Sequence, residues 1–315
     1  MMPEPAGCVA GSDGRFAPSP TGSLHLGNLR TALLAWLFAR STGARFVVRM
    51  EDMDRARFRE GIEEEQLADL RALGLDWDGP VVRQTERMEL YEAAISRLDA
   101  AGLLYPCYCT RREIREAVSA PHGPASASYP GTCRELTARE RADLEASGRP
   151  PSLRVRAGGL SAAFEDRLLG YREGGADDFV VRRNDGSPAY QLTVVVDDAE
   201  QGIGEVVRGD DLADSTPRQL ILHRMLGLPE PGYAHVPLVL GPDGERLAKR
   251  HGERHGGITL ADRAESGESP GEILGWMARS LNLAEPGERV TAEALIPRFD
   301  PGRLPAEPAV WTPGG

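Results

Sequence analysis

Apolar residues recur along this chain at two alternating periods, one helical and one strand-like, and that alternation predicts an α/β protein. Arg15-Phe16-Ala17 reads as a short strand that ends at Pro18. A loop over Pro18 to Leu24 then leads into a helix with Leu26, Leu29, Leu33, Trp36 and Leu37 on one face, and Gly43 is placed to stop it. Arg45 to Met50 reads as a strand ending at Glu51-Asp52, and helical patterns follow at Glu63 to Ala72 and Arg87 to Ala101.

From about Leu104 to Gly175 the pattern breaks into an insertion, with a cysteine cluster, a stretch rich in Pro, Ala and Ser from Ala120 to Pro130, and a polar helix around Thr137 to Ser147. The α/β pattern then resumes. Ala189 to Val196 reads as a β-rich run, which puts Asp197-Asp198 at a strand end, and Glu205 to Arg208 reads as another short strand. Ser215 and Pro217 stand where an N-cap and a first-turn proline would start a helix running to Leu226. Ser269-Pro270-Gly271-Glu272 has capping-box spacing and announces a later helix, and beyond Pro286 the chain is proline-spotted. The expected division is 14–103 and 176–240 as two halves of one α/β domain, 104–175 as an insertion, and 241–315 as a short helical C-terminal part.

Composition narrows the class. The 315 residues are 41% hydrophobic and 27% charged, an ordinary globular balance. No apolar run approaches the roughly 18 residues a membrane span needs. Met1 to Ser12 lack the charged and apolar regions of an export signal, so a bacterial-type cytoplasm and no membrane partner are expected. A net charge of −11 argues against a non-specific nucleic-acid coat but leaves room for a local basic face. Of 37 Lys plus Arg, 36 are Arg, so the lone lysine, Lys249, draws attention.

Three of the four cysteines, Cys107, Cys109 and Cys133, fall within 27 residues, while Cys8 is remote. Such spacing in a cytosolic chain points to a metal site rather than a disulfide framework, with Zn²⁺ the fitting ion for soft thiolates. A purely structural zinc wants a fourth ligand, and His122 is the ordinary chemical choice.

The densest chemical signal is Arg15-Phe-Ala-Pro-Ser-Pro-Thr-Gly-Ser-Leu-His25-Leu-Gly27-Asn28. It sets His-x-Gly at a helix start, where free N–H groups and the positive dipole end favour phosphate. This string resembles the signature of the class I glutamyl-tRNA synthetases, in which a "HIGH" motif follows the same lead. The resemblance continues through Arg49-Met-Glu51-Asp52-x-Asp54-Arg55, Leu75-Asp-Trp77-Asp78, Cys107-Tyr-Cys109, Tyr190-Gln-Leu-x-Val-Val-Val-Asp197-Asp198 and Val207-Arg208-Gly209-x-Asp211-Leu212, and ends at Arg246-Leu-Ala-Lys249-Arg250.

The resemblance implies a Rossmann-like class I synthetase catalytic domain with a zinc-binding insertion. It implies His25 and Lys249 as catalytic residues, His25, Gly27, Asn28 and Lys249 on ATP, and Mg²⁺ with the ATP. It makes Arg15, Phe16, Ala17, Pro18, Ser19, Glu51, Tyr190 and Arg208 the L-glutamate pocket, where arginine forks suit a carboxylate and Glu51 suits the ammonium. Two positions depart from the family pattern: Asn28 stands for the last His of "HIGH", and Ala248 for the first Ser of the "KMSKS" loop. Asp197 and Asp198 invite a Mg²⁺ reading and a structural one alike.

Only 65 residues follow Arg250, so no anticodon-binding domain is expected. That brevity and the Cys-x-Cys…Tyr-x-x-x-Cys insertion resemble the truncated branch of the family, the glutamyl-queuosine tRNA(Asp) synthetases, and nominate Tyr129 as the fourth zinc ligand. The implied activity is tRNA-independent activation of glutamate by ATP. Transfer to the cyclopentene-diol of queuosine in the anticodon of tRNA(Asp) follows, by a chain expected to be a monomer. A compact enzyme charging the 3′ end of tRNA(Glu), or a non-catalytic binder of glutamate or adenylate, are the alternatives.

Overall fold

The computed structural model describes residues 11–110, 112–114, 129–247 and 257–312. Lys249, with Ala248 and Arg250 beside it, lies outside the described residues, as do His122 and Cys8. The strands are β1 (Gly14–Phe16), β2 (Phe46–Met50), β3 (Val82–Arg83), β4 (Leu104–Cys107), β5 (Ser152–Val155), β6 (Ser161–Asp166), β7 (Gly170–Gly175), β8 (Val180–Arg182), β9 (Glu205–Gly209), β10 (Gly232–Val236), β11 (Val239–Leu240) and β12 (Ala309–Val310). The helices are α1 (Leu26–Arg40), α2 (Ile62–Ala72), α3 (Met88–Ala100), α4 (Ala138–Ala146), α5 (Tyr190–Glu200), α6 (Thr216–Leu226), α7 (Leu260–Glu265), α8 (Pro270–Arg279) and α9 (Ala292–Leu295).

Seven strands form the main sheet in the order β3-β2-β1-β9-β10-β6-β7. Neighbours run parallel except in the β6–β7 hairpin at one edge. The chain lays β1, β2 and β3 outward to one side, then returns to place β9 and β10 on the other. Strand order therefore reverses between β1 and β9, and in open α/β sheets a ligand crevice forms off the strand ends at such a reversal.

Alternation along β2 shows why both faces of the sheet are covered. Phe46, Val48 and Met50 enter one core with α1 and α8, while Val47 enters a second core with α3, α5 and α6. The five residues expected on one face of α1 are all buried. The helix closes at Ser41, and Gly43 takes the left-handed turn that follows, at φ 73°.

The run over Ala189–Val196 is a helix, not the expected strand. Its β-branched Val194-Val195-Val196 suits a sheet by propensity, but a continuous apolar run carries no period that separates the two states. Packing decides: Leu192, Val194, Val195 and Val196 are all buried in one core with α3 and α6. Tyr190 thus opens a helix, and Asp197 and Asp198 lie near its end rather than at a strand edge.

Residues 104–175 contribute to two sheets. Strand β5 pairs with β4 on one side and β8 on the other in a separate antiparallel sheet beside the cysteine cluster, while β6 and β7 join the main sheet. The C-terminal region packs on the main core. Ser269 and Glu272 form the capping box that starts α8, whose Ile273, Leu274, Met277 and Ala278 are buried against the α1 side, and β12 pairs with β11. Arg30 of α1 ties these parts together by donating to the Pro237 carbonyl and to Ser280, and burial pushes its pKa down to about 10. Among the described residues no helix is long and apolar enough to cross a membrane.

Candidate active site

A cleft of about 470 Å³ opens at the reversal between β1 and β9. Arg15, Phe16, Ala17, Pro18, Ser19, His25, Gly27, Asn28, Glu51, Tyr190 and Arg208 all line it, so every described residue of the expected glutamate and ATP sites opens onto one space. Lys249 lies outside the described residues, but Arg246, at the start of the same motif, lines the cleft and pairs with Asp211. On either side of 248–256, Leu247 N–H donates to Val239 and Ile258 accepts from Leu26 N–H, both at 2.9 Å.

The α1 turn is locally built. His25 is the N-cap: its Nδ1 accepts from Asn28 N–H, while the Asn28 side-chain oxygen accepts from His25 N–H, both at 3.2 Å. Asn28 therefore completes a capping box, which accounts for an amide at that position. A Cβ on Gly27 would stand 3.0 Å from the His25 ring, so the space that glycine leaves is occupied by that ring. The loop before the helix is held by Gln66, whose amide donates to the Ser19 and Gly22 carbonyls. Sequence reading passed over Gln66, although a glutamine inside the apolar stripe of Leu67 and Leu70 was a usable signal.

Beneath the cleft floor lies a buried charge network. Arg49 is fully buried and pairs with Asp198 at 2.8 Å, Glu51 at 3.5 Å and Asp197 at 3.7 Å, and Asp198 also receives Arg15 at 3.3 Å. Asp197 accepts further bonds from Gln84, Arg87 and the Tyr91 hydroxyl. Both aspartates are thus engaged by arginines, which favours the structural reading of the pair over Mg²⁺. Burial opposes ionisation of Asp198, but Arg49 and Arg15 outweigh it and hold its pKa below the usual carboxylate range. At Glu51 burial prevails and pushes the pKa up despite the same arginines.

Arg208 is held differently. Its guanidinium donates to His235 Nε2 at 3.1 Å, Gln219 Oε1 at 2.8 Å, Thr216 Oγ1 at 2.8 Å and the Leu212 carbonyl at 3.4 Å. None of these partners was found by sequence reading, because they come from β10, α6 and the turn between them and β9.

The insertion gathers its own cluster. The Cys107, Cys109 and Cys133 sulfurs lie within 4.8 Å of one another, and the Tyr129 hydroxyl stands 3.3 Å from Cys107 Sγ and 3.9 Å from Cys109 Sγ. The donor set can hold a metal ion. Hydrogen bonds from Cys109 and Cys133 pull the Cys107 thiol down, and Cys109 is pushed up in return by its bonds to Cys107 and Cys133. The Arg154 guanidinium lies 3.7 Å over the Tyr129 ring.

Residues 13–279 match the family described as tRNA synthetases class I (E and Q), catalytic domain. The chain is 58% identical over 305 residues to a glutamyl-Q tRNA(Asp) synthetase of Nocardia farcinica, across 97% of this chain and 94% of that protein. It belongs to the glutamyl-Q tRNA(Asp) synthetase family. A glutamate–tRNA ligase 1 of Halorhodospira halophila is 44% identical, with 95% of this chain and 65% of that protein covered. The fold of the family is equally plain: a glutamate tRNA ligase of Elizabethkingia meningosepticum, solved in complex with its amino acid, superposes with a TM-score of 0.82 at 28% identity, covering 96% of this chain and 67% of that one. The glutamyl-Q synthetase family is of the ligase type, and the cleft between β1 and β9 lies within the residues that match the catalytic-domain family.

Proposed function

We propose that the chain activates L-glutamate with ATP in the absence of tRNA and then transfers the glutamyl group to the cyclopentene-diol of queuosine in the anticodon of tRNA(Asp). One observation carries the reading: eleven residues nominated for glutamate and ATP line the same cleft. The choice of acceptor draws its support from the near-complete coverage of a relative bearing that name.

In the first step the glutamate α-carboxylate attacks the α-phosphorus of ATP, forming the acyl-phosphate bond and expelling pyrophosphate. Arg15 and Arg208 would receive the side-chain carboxylate, Glu51 the ammonium, and Tyr190 a substrate hydrogen bond. His25 at the start of α1 would donate to a phosphate oxygen, with Gly27 and Asn28 shaping that turn, and Lys249 would stabilise charge on the leaving pyrophosphate. Mg²⁺ arriving with ATP supplies charge neutralisation at the phosphates. In the second step a queuosine hydroxyl attacks the acyl carbonyl and releases AMP, with no protein nucleophile required.

Zn²⁺ fits the cysteine cluster. Cys107, Cys109 and Cys133, with Tyr129 beside them, would supply the four donors that a structural centre takes. We read the protein as a cytoplasmic monomer.

The deciding experiment offers radiolabelled glutamate and ATP to tRNA(Asp) carrying queuosine, to unmodified tRNA(Asp) and to tRNA(Glu). Label on the queuosine-bearing RNA alone, surviving prior periodate treatment of its 3′ end, is the expected outcome. Label on tRNA(Glu) would make the chain an aminoacylating enzyme. His25→Ala is expected to lower tRNA-free, glutamate-dependent ATP–pyrophosphate exchange by about 10²-fold or more. Unchanged exchange would remove His25 from the chemistry.

A further inference from the structure

Arg208 is a buried cation that the chain ligates with neutral acceptors alone: among the described residues it has no ion pair, and His235, Gln219, Thr216 and the Leu212 carbonyl take its donors. An arginine has five N–H donors and no acceptor. The His235 Nε2, 3.1 Å from Arg208 Nε, must therefore be unprotonated and accept. The Thr216 hydroxyl accepts from Arg208 Nη2 and can donate to the same His235 nitrogen at 3.2 Å. With Nε2 an acceptor, the ring proton sits on Nδ1, and it faces Asp166 Oδ2 at 2.6 Å. Asp166 is fixed in turn by the Leu168 and Leu169 N–H groups on Oδ1 and by the His235 N–H. Asp166, His235 and Arg208 are only 4%, 0% and 5% exposed. Four contacts on five donors leave one Nη1–H of a side chain that lines the cleft.

We propose that Asp166 and His235 are positioning residues for glutamate recognition: Asp166 locks the His235 tautomer, and His235 aligns Arg208 as a cation without a carboxylate partner, presented to the substrate carboxylate. The same arrangement favours glutamate over glutamine, because an amide brings no charge to the guanidinium and can turn a donor toward it. The proposal rests on the reading of Arg208 as a glutamate ligand.

Asp166→Asn tests the tautomer directly. The Leu168 and Leu169 N–H groups demand an acceptor where Oδ1 now lies, so the asparagine oxygen takes that place and its NH₂ faces His235 Nδ1. The ring proton is then driven to Nε2, against the Arg208 donors. In pyrophosphate exchange the KM for glutamate is expected to rise about tenfold or more, and glutamate-over-glutamine preference to fall, with the KM for ATP near wild type. His235→Gln can restore an acceptor at the Nε2 position and His235→Asn cannot reach it, so the asparagine variant should have the higher glutamate KM. Asp166→Asn should add little on the His235→Gln background.

Arg208→Lys separates the two readings. A wild-type glutamate KM in that variant removes the pocket reading and the relay with it. A raised KM in Arg208→Lys beside a wild-type KM in Asp166→Asn overturns the relay alone, as does a loss that moves both KM values and the melting temperature together. If Asp166→Asn does not fold, equal glutamate KM values for His235→Gln and His235→Asn overturn it instead.

Discussion

Arg49 and Arg208 are both buried at the cleft between β1, β2 and β9, yet they are held in opposite ways. Arg49 is surrounded by Asp197, Asp198 and Glu51, which together outweigh the cost of burial and push its pKa up. Arg208 meets a ring nitrogen, an amide, a hydroxyl and a carbonyl. A buried cation matched by carboxylates closes an internal account and holds elements together. One solvated only by neutral acceptors keeps its charge available to an incoming anion. Burial is common to both, so the partners carry the functional distinction.

The sharpest test of that contrast removes each charge. Arg49→Met removes the central cation of Asp197, Asp198 and Glu51, leaving the two aspartates to Arg87 and Arg15, and is expected to cost about 3–5 kcal/mol of stability, read by denaturant unfolding. Arg208→Met strands only neutral acceptors, so its stability loss should be about 1–3 kcal/mol, while the glutamate KM rises roughly 10²-fold or beyond. Equal stability losses from the two variants would dissolve the distinction.

Acid should separate the regions as well. Asp198 has a folded-state pKa below its unfolded value, so its contribution to stability is present above the unfolded carboxylate pKa and is lost as pH falls through the folded one. The unfolding free energy of the wild type should therefore decline below about pH 4. Asp198→Asn should flatten that decline.

The cysteine cluster offers a third, milder probe. Cys133→Ser is expected to reduce zinc, measured by elemental analysis of the purified chain, and to lower the melting temperature without changing the glutamate KM, since the cluster lies in the insertion core. Smallest of all, Ser269→Ala removes the α8 cap and should cost about 1 kcal/mol with exchange activity intact.

Some parts of this architecture were open to reading from the residues. The α8 cap joins Ser269 to Glu272, as the spacing announced, and the α1 cap, not foreseen from the residues, joins His25 to Asn28 at the same separation. Each is a contact three residues long, and a contact of that span is written in neighbouring side chains. The trio Cys107, Cys109 and Cys133 was legible for a related reason, since its residue type and spacing are restrictive, whereas Tyr129 came only from the resemblance and His122 was the choice of chemistry alone. Ala189–Val196 was misread because three successive valines state a local preference that packing against α3 and α6 overrides.

By itself, then, the sequence determined the family motifs, the α8 cap, the strand β1 and the set of residues that chemistry singles out. Tertiary structure alone decided that those residues converge, which of two buried arginines keeps its charge for a ligand, and that Asp197 and Asp198 serve Arg49 and Arg15. It also decided the partners of Arg208 and the Asp166 behind His235, since Asp166, Thr216, Gln219 and His235 come from three separate elements and meet only when β6, β10 and α6 pack beside β9. The physical reason is the range of the interactions. Caps and turns are satisfied by atoms a few residues away, whereas a buried charge is solvated by whatever the folded chain brings to it.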